Sequence, residues 1–253
     1  MTAEVGILNR MGVALAADSA VTIGRGGMEK VYNSANKLFS LSKHHPVGIM
    51  IYGGANFMGT PWETIIKTYR ATLKDLKKDN LNDYCLDFIN FVQNDTRLHN
   101  SDAETVLVQS IFKEIFMQIL NEVESAINET MSQGGATPAE ATVENWISGL
   151  AMSYMENIKR NRGTSISQSA LPLNIFKTSH QSALTETIDD IMTFDLSIAV
   201  KDQLYELAHL LVISDVFSNN STGIVIAGYG ENEIFPSLYE YQIEGIICNN
   251  LKK

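Results

Sequence analysis

Cysteine is scarce in this sequence: the 253 residues include only two, Cys85 and Cys248, and these lie far apart. No CxxC pair is present, so the sequence favours neither a thiolate metal site nor a disulfide framework. No run reaches the ~18 apolar residues that a membrane span needs. The N-terminus also lacks the basic region and apolar core of a signal peptide. These absences predict a cytoplasmic protein with no metal ligands and no membrane partner.

Positive charge is also in short supply, with 19 Lys and Arg residues against 29 Asp and Glu, a formal net charge of -10. An acidic protein is a poor match for a phosphate backbone, so we expect no nucleic-acid partner. Apolar residues make up 45% of the chain, enough for a substantial core. The length fits one large domain or a domain with an insertion, and we take residues 1–253 as a single domain.

The order of the predicted elements indicates an α+β fold. Short apolar runs bounded by turn residues predict strands, and a long block with apolar residues at helical spacing separates the early strands from the late ones. The first two runs are almost continuously apolar, which predicts burial on both faces. The predicted strands cover 3–9, 12–18, 37–42, 47–52, 223–227 and 238–247, and the helical block covers about 60–218.

Three helix starts in this block have the pattern of a capping box, with Ser or Thr as the N-cap and Glu three residues later. They are Thr60–Glu63, Ser101–Glu104 and Thr137–Glu140. Residues 163–178 are polar and irregular, and they predict a loop. The last predicted strand ends close to Lys253, and its far side needs a neighbour. We therefore expect either a partner that covers this strand or a C-terminally incomplete fold.

The start of the chain suggests a nucleophile. Removal of Met1 would make Thr2 the first residue, with a hydroxyl and an α-amine on adjacent carbons. An α-amine has a reference pKa near ~8, against ~10.4 for lysine, so it can accept a proton close to neutral pH. A threonine hydroxyl activated by its own N-terminal amine is an established type of nucleophile. Considered on its own, Thr2 has a simpler interpretation as a small residue that permits removal of Met1.

Three further residues would complete such a site. Lys37 would supply a positive charge that favours the alkoxide, and Asp18 would hold Lys37 in place. Gly53, at the end of the fourth predicted strand, would offer its backbone N–H to an oxyanion. We expect the start of the first strand, the end of the second and the start of the third to meet at one edge of the same sheet. The simpler interpretations are a turn-forming Asp18 and an edge-strand Lys37.

Residues 2–60 resemble a proteasome β subunit of the N-terminal nucleophile (Ntn) hydrolase superfamily. The resemblance is carried by GVALAADS, which ends in the Ala-Asp of Asp18, by NKLFSL around Lys37 and by GIMIYGG around Gly53. It implies an αββα sandwich, here with an enlarged helical insertion at about 60–218. It also implies that Thr2 is the nucleophile and that Asp18, Lys37 and Gly53 are its catalytic partners.

The activity that the resemblance implies is hydrolysis of a peptide or amide bond without a cofactor. The expected partners are a peptide or small amide substrate and, from the ring assembly of the family, further copies of the same chain in a homo-oligomer. Two alternatives remain: a noncatalytic proteasome-like scaffold that binds partner proteins, and an Ntn amidase specific for a small amide. The pair His44-His45 is interpreted as a solvated turn, because no further ligand follows at a useful spacing.

Overall fold

The computed structural model describes residues 4–18, 21–23, 30–32 and 36–253. These residues form six α-helices and several small antiparallel sheets, so the predicted α+β class is confirmed. The chain divides into two compact units. The first unit extends to His99 and resumes over Asn219–Glu244, and the second comprises Asn100–Ser218 and Gly245–Lys253. The predicted helical block is thus divided between the two units.

The first unit contains the strands of the early and late parts of the chain and two helices. The elements are β1 Glu4–Asn9, β2 Gly12–Ala17, β3 Val21–Ile23, β4 Lys30–Tyr32, β5 Leu38–Ser40, β6 Val47–Gly53, β7 Asn56–Phe57, β8 Thr60–Pro61, α1 Trp62–Leu73, α2 Leu81–Asn94, a 3-10 turn at Thr96–Leu98, β9 Thr222–Gly228 and β10 Ser237–Ile243. The central sheet has the order β10-β9-β6-β5, with every neighbouring pair antiparallel.

The central sheet is covered on both faces. On one face, the β1–β2 hairpin packs across it, with the Leu15 side chain lying over the backbone of Gly48. On the other face, α2 packs on β9 and β10, and the indole N–H of Trp62, at the start of α1, donates to the Thr222 hydroxyl at 2.9 Å. The unit therefore has three layers: a helical layer, the four-stranded sheet and the hairpin.

The hairpin differs from its sequence-based prediction. Gly6 and Leu15 pair across the two strands and face the central sheet, so their neighbours Val5 and Ile7 face away from it. Val5 is 50% exposed and Ile7 is 62% exposed. The predicted burial of both faces is wrong, because the described residues provide a packing layer on only one side of these strands.

None of the three predicted capping boxes forms. Thr60 and Pro61 pair with Asn56–Phe57 as a short ladder, so α1 begins at Trp62. Pro61 occupies the N-cap position of α1 without a side-chain hydrogen bond. The extended conformation of Thr60 is the one expected for a residue that precedes proline. The fourth helix begins at Glu140, also without a side-chain cap.

The second unit is a helical bundle with a small β-hairpin. Its core is formed mainly by aromatic and branched residues from all four helices, among them Phe112, Phe116 and Phe176. The third of these helices begins at Leu173, so the prediction of a loop over 163–178 is wrong for its last part. The elements are α3 Ser101–Ser132, α4 Glu140–Asn161, α5 Leu173–Ile191, α6 Ile198–Ile213, β11 Gly245–Ile247 and β12 Asn250–Lys252.

The first helix of this unit is capped differently from the prediction. Asn100 is the N-cap of α3, and its side-chain oxygen accepts from the backbone N–H groups of Asp102 and Ala103, at 2.9 and 3.3 Å. Ser101 is consequently inside the helix. Glu104 is free of the capping role that its spacing predicted, and its carboxylate instead contacts His180.

Helix length and polarity bear on the predicted absence of a membrane partner. Within the described part of the chain, no helix combines the length and the apolar character that crossing a membrane would require.

Candidate functional site

The centre of the candidate site is an ion pair between two residues that were predicted from the sequence to be catalytic partners. The Lys37 ammonium lies 2.6 Å from the Asp18 carboxylate. Lys37 is only 8% exposed, whereas Asp18 is 32% exposed. A lysine removed from water needs a hydrogen-bonded counter-charge, because a buried unpaired ammonium is strongly unfavourable. Asp18 meets this need at close range.

The contact connects two different sheets. Asp18 directly follows β2 in the hairpin, and Lys37 directly precedes β5 in the central sheet. The backbone of Lys37 continues the sheet, since its carbonyl accepts from the N–H of Ile51 at 2.8 Å. The expectation that these groups meet at one edge of the same sheet is therefore wrong. They meet where the hairpin lies across the central sheet.

Glu4 is a neighbour of this pair that the sequence did not identify. Burial raises the pKa of Glu4, the positive charge of Lys37 opposes that rise, and the negative charge of Asp18 adds to it. Among the described residues, Glu4 Oε1 has no hydrogen-bond partner although it is buried. The only signal in the sequence was the closeness of Glu4 in the chain to the proposed nucleophile Thr2.

Gly53 lies at the end of β6, where the backbone needs glycine. Its φ is +75°, and a Cβ at this position would lie 2.7 Å from the Ser221 carbonyl oxygen. Gly53 and Lys37 both line a cleft of about 180 Å³, together with Tyr52 and Asn56. The structure thus brings Lys37 to one cleft with Gly53, and places Asp18 against Lys37.

Tyr52 adds a second polar group from the hairpin-facing side of β6. Its hydroxyl donates a hydrogen bond to the Glu240 carboxylate. Burial, this hydrogen bond and the negative charges of Glu240 and Glu4 raise the pKa of Tyr52 to about 12. The phenol is therefore protonated at neutral pH. Its ring lies directly over the backbone of Gly223, leaving no room for a Cβ there.

The remaining residues selected from the sequence are Thr2 and the pair His44-His45. Thr2 lies outside the described residues, so its role stays a prediction. His44 and His45 lie in the turn between β5 and β6, and His44 contacts Asp75 at 2.8 Å on the surface. Neither histidine belongs to a metal-type cluster in the described ranges.

Comparison with known proteins adds no assignment. No family model, no curated protein and no solved structure matches this chain.

Proposed function

We propose that this chain is a threonine-type Ntn hydrolase that cleaves a peptide or small amide bond. One observation carries the proposal: the buried ammonium of Lys37 is held by Asp18 and lies on the same cleft as Gly53. From the sequence, Lys37 was predicted to supply the positive charge, Asp18 to hold Lys37 in place, and Gly53 to donate to the oxyanion. Their convergence supports those roles, because Asp18, Lys37 and Gly53 belong to different segments of the chain and meet only through the fold.

The first described residue of β1 lies close to the ion pair. Glu4 interacts electrostatically with both Lys37 and Asp18. The start of the hairpin therefore belongs to the same site, which supports the proposal that Thr2, two residues earlier in the sequence, is the reacting residue.

The proposed reaction follows from these positions. The Thr2 α-amine accepts the hydroxyl proton as Thr2 Oγ attacks the carbonyl carbon of the substrate. The N–H of Gly53 donates to the resulting oxyanion, and the charge of Lys37 favours the alkoxide. The amine then gives its proton to the leaving nitrogen, and an acyl-enzyme ester remains. Water, deprotonated by the same amine, hydrolyses this ester and restores Thr2.

The finer fold assignment is part of the same proposal. An αββα sandwich would place two stacked sheets between helical layers, and the first unit provides α1 and α2, a central sheet and a stacked hairpin. We assign the second unit to the enlarged helical insertion. Homo-oligomeric assembly and a cytoplasmic location remain predictions. Both cysteines are free thiols, which agrees with a reducing compartment.

The proposal is tested with untagged protein, whose intact mass reports whether Met1 has been removed. A peptide epoxyketone requires both a threonine hydroxyl and a free α-amine, so it should label Thr2 in the wild-type protein. Thr2→Ala should abolish labelling, whereas Thr2→Ser and the surface control Thr64→Ala should keep it. Retention of Met1 on most molecules, or labelling of Thr2→Ala, would exclude the mechanism.

A noncatalytic scaffold is the second candidate, and the outer face of the hairpin favours it. Val5 and Ile7 present exposed apolar side chains there, as a protein-binding surface would. A fully processed wild-type protein that takes up no epoxyketone, and that loses apolar-dye binding on Ile7→Thr, would support the scaffold. Labelling of Thr2 that persists in Ile7→Thr would support the hydrolase.

A further inference from the structure

A second cluster of reactive side chains lies in the helical unit and shares no residue with the candidate active site. It contains Glu104 from the first turn of α3, His180 from the middle of α5 and Cys248 from the turn between β11 and β12. Nε2 of His180 lies 3.0 Å from Glu104 Oε1 and 3.6 Å from Cys248 Sγ. One donor atom from each residue lies within 4.8 Å of the other two.

The backbone keeps these three side chains together. Cys248 and Asn249 form the two-residue turn of the β11–β12 hairpin with φ values of +47° and +62°. A left-handed conformation is uncommon for cysteine, so local propensity does not explain this residue in the turn. The N–H of Cys248 also donates to Glu104 Oε1 at 2.8 Å. The turn is therefore tied to the start of α3 by the same carboxylate that contacts His180.

The arrangement does not suit proton relay by a catalytic triad. In a triad, one ring nitrogen of histidine contacts the nucleophile and the other contacts the carboxylate. Here Nε2 of His180 faces both the thiol and the carboxylate, and Nδ1 is buried without a hydrogen-bond partner among the described residues. Instead, an oxygen, a nitrogen and a sulfur atom face one another at a single point, as the ligand atoms of a metal ion do.

The separation of the thiol from the imidazole matches tetrahedral zinc. With Zn–N of about 2.0–2.1 Å and Zn–S of about 2.3 Å, tetrahedral geometry places nitrogen and sulfur about 3.6 Å apart. The observed distance from His180 Nε2 to Cys248 Sγ is 3.6 Å. Nitrogen and carboxylate oxygen should be about 3.4 Å apart, so the 3.0 Å contact between His180 and Glu104 must lengthen when the ion binds.

We propose that Glu104, His180 and Cys248 bind one Zn²⁺ ion, with water in the fourth position. Thiolate and imidazole ligands select borderline-soft ions such as Zn²⁺, whereas Mg²⁺ and Ca²⁺ require a shell of oxygen atoms. His180 is 3% exposed, and Glu104 and Cys248 are partly exposed, so the ion would have access from solvent on one side. Binding is not a redox step: the thiol of Cys248, and His180 where it is protonated, release their protons to solvent.

Co²⁺ is the probe of choice, because it replaces Zn²⁺ in tetrahedral sites and its bond to a thiolate gives a sulfur-to-cobalt charge-transfer band. The full chain is stripped with a chelator and titrated with Co²⁺. We expect the band to saturate at one equivalent and to disappear when Zn²⁺ is added. Cys248→Ser should remove the band, and Glu104→Gln and His180→Gln should weaken metal binding by at least about 100-fold, the upper end of the loss for an outer-shell partner.

Cys85→Ser is the matched control, since Cys85 is the other free thiol and lies in the first unit. It should keep the full band with unchanged affinity. Circular dichroism melts of each variant identify any that fail to fold, and thiol titration of the wild type checks that Cys248 is reduced. Absence of the band in reduced wild-type protein, or an equal band in Cys248→Ser, would overturn the proposal. Both outcomes are independent of the hydrolase, which uses residues of the other unit.

Discussion

Asp18 and Lys37 are 19 residues apart in the chain, and their 2.6 Å ion pair joins the hairpin to the central sheet. The same contact therefore has two consequences. It fixes the position of the hairpin relative to the sheet, and it holds the ammonium of Lys37 at the cleft. A variant at either residue should affect both stability and turnover, and the two effects can be separated by measuring each.

For turnover, we predict that Thr2, Lys37 and Asp18 act as one unit. Thr2→Ala should abolish hydrolysis of a responsive peptide or amide. Lys37→Ala should lower it by at least about 100-fold, because it removes the preorganised charge. Asp18→Asn should cost less, since it loosens Lys37 without removing a reacting atom. The double variant Thr2→Ala with Lys37→Ala should be no worse than Thr2→Ala alone.

Lys43→Ala is the control for this series, because Lys43 is an exposed lysine in the turn after β5. It should leave the rate of hydrolysis unchanged. The measurement is initial rate against a panel of fluorogenic peptides and small amides, together with a melt of each variant. Full hydrolysis by a folded Lys37→Ala protein would contradict the prediction.

Gly53 and Gly59 offer a matched pair for the backbone at the cleft. Both have positive φ, of +75° and +85°, but a Cβ at Gly53 would lie 2.7 Å from Ser221 O, whereas nothing lies within 4 Å of one at Gly59. Gly59→Ala should cost about 1 kcal/mol from conformation alone. Gly53→Ala should cost more, about 2–3 kcal/mol, because strain at the backbone is added to it. Urea melts of the two variants measure the difference, and equal losses would refute the proposed crowding.

Much of the first unit was predictable from local pattern. β1, β2, β6 and β9 match apolar runs bounded by turn residues, and Asp18 and Lys37 are in contact as predicted, although across two sheets and not at the edge of one. The exposure of Ile7 was not predictable in the same way. The sequence of an apolar strand does not show whether one face or both faces are buried, because burial depends on which other segments of the chain pack against the strand.

The residues that sequence analysis missed are those whose partners are distant in the chain. Glu240 is 188 residues from Tyr52, and His180 is 76 residues from Glu104. No local spacing links such positions, and only the packing of the fold brings them together. Glu104 was even assigned another role, because a Glu three residues after a Ser also fits a capping box.

Lys252 is predicted to be a stabilising residue of the second unit. It is fully buried, and its ammonium donates to the carbonyls of Leu211, at 2.7 Å, and Val216. Leu211 lies in the last turn of α6, where a positive charge also favours the helix dipole. Lys252→Met should lower the free energy of unfolding by about 2 kcal/mol, since it leaves buried acceptors unpaired.

The neighbouring exposed residue supplies the control for Lys252. Lys253→Met should change the free energy of unfolding by less than about 0.5 kcal/mol, as is usual for surface substitutions. Because the chain has two compact units, hydrogen exchange should locate the loss in α6 and the β11–β12 hairpin. An unchanged exchange pattern in Lys252→Met would show that the ammonium does not stabilise this end of α6.

The pH dependence of the second unit should report the contact between Glu104 and His180 in metal-free protein. Burial disfavours the charged form of His180, but its hydrogen bonds and the charges of Cys248 and Glu104 outweigh this and raise its pKa from 6.5 to about 9. Burial likewise disfavours the Glu104 carboxylate, yet hydrogen bonds from His180 and the Cys248 backbone lower its pKa below the ordinary 4.5.

The two shifts act at opposite ends of the pH range. A histidine whose folded pKa is raised stabilises the fold fully below the unfolded value of 6.5, and loses this contribution as the pH rises through about 9. A carboxyl whose folded pKa is lowered stabilises above 4.5 and loses its contribution as the pH falls through the folded value. With chelator present, the free energy of unfolding should therefore be greatest between pH 4.5 and pH 6.5, and it should fall by on the order of 2 kcal/mol toward pH 9.

Chemical denaturation at half-unit pH steps measures this fall, and His180→Gln should flatten the alkaline side of the curve. A wild-type curve that stays level from pH 6.5 to 9 would mean that the imidazolium of His180 does not stabilise the fold.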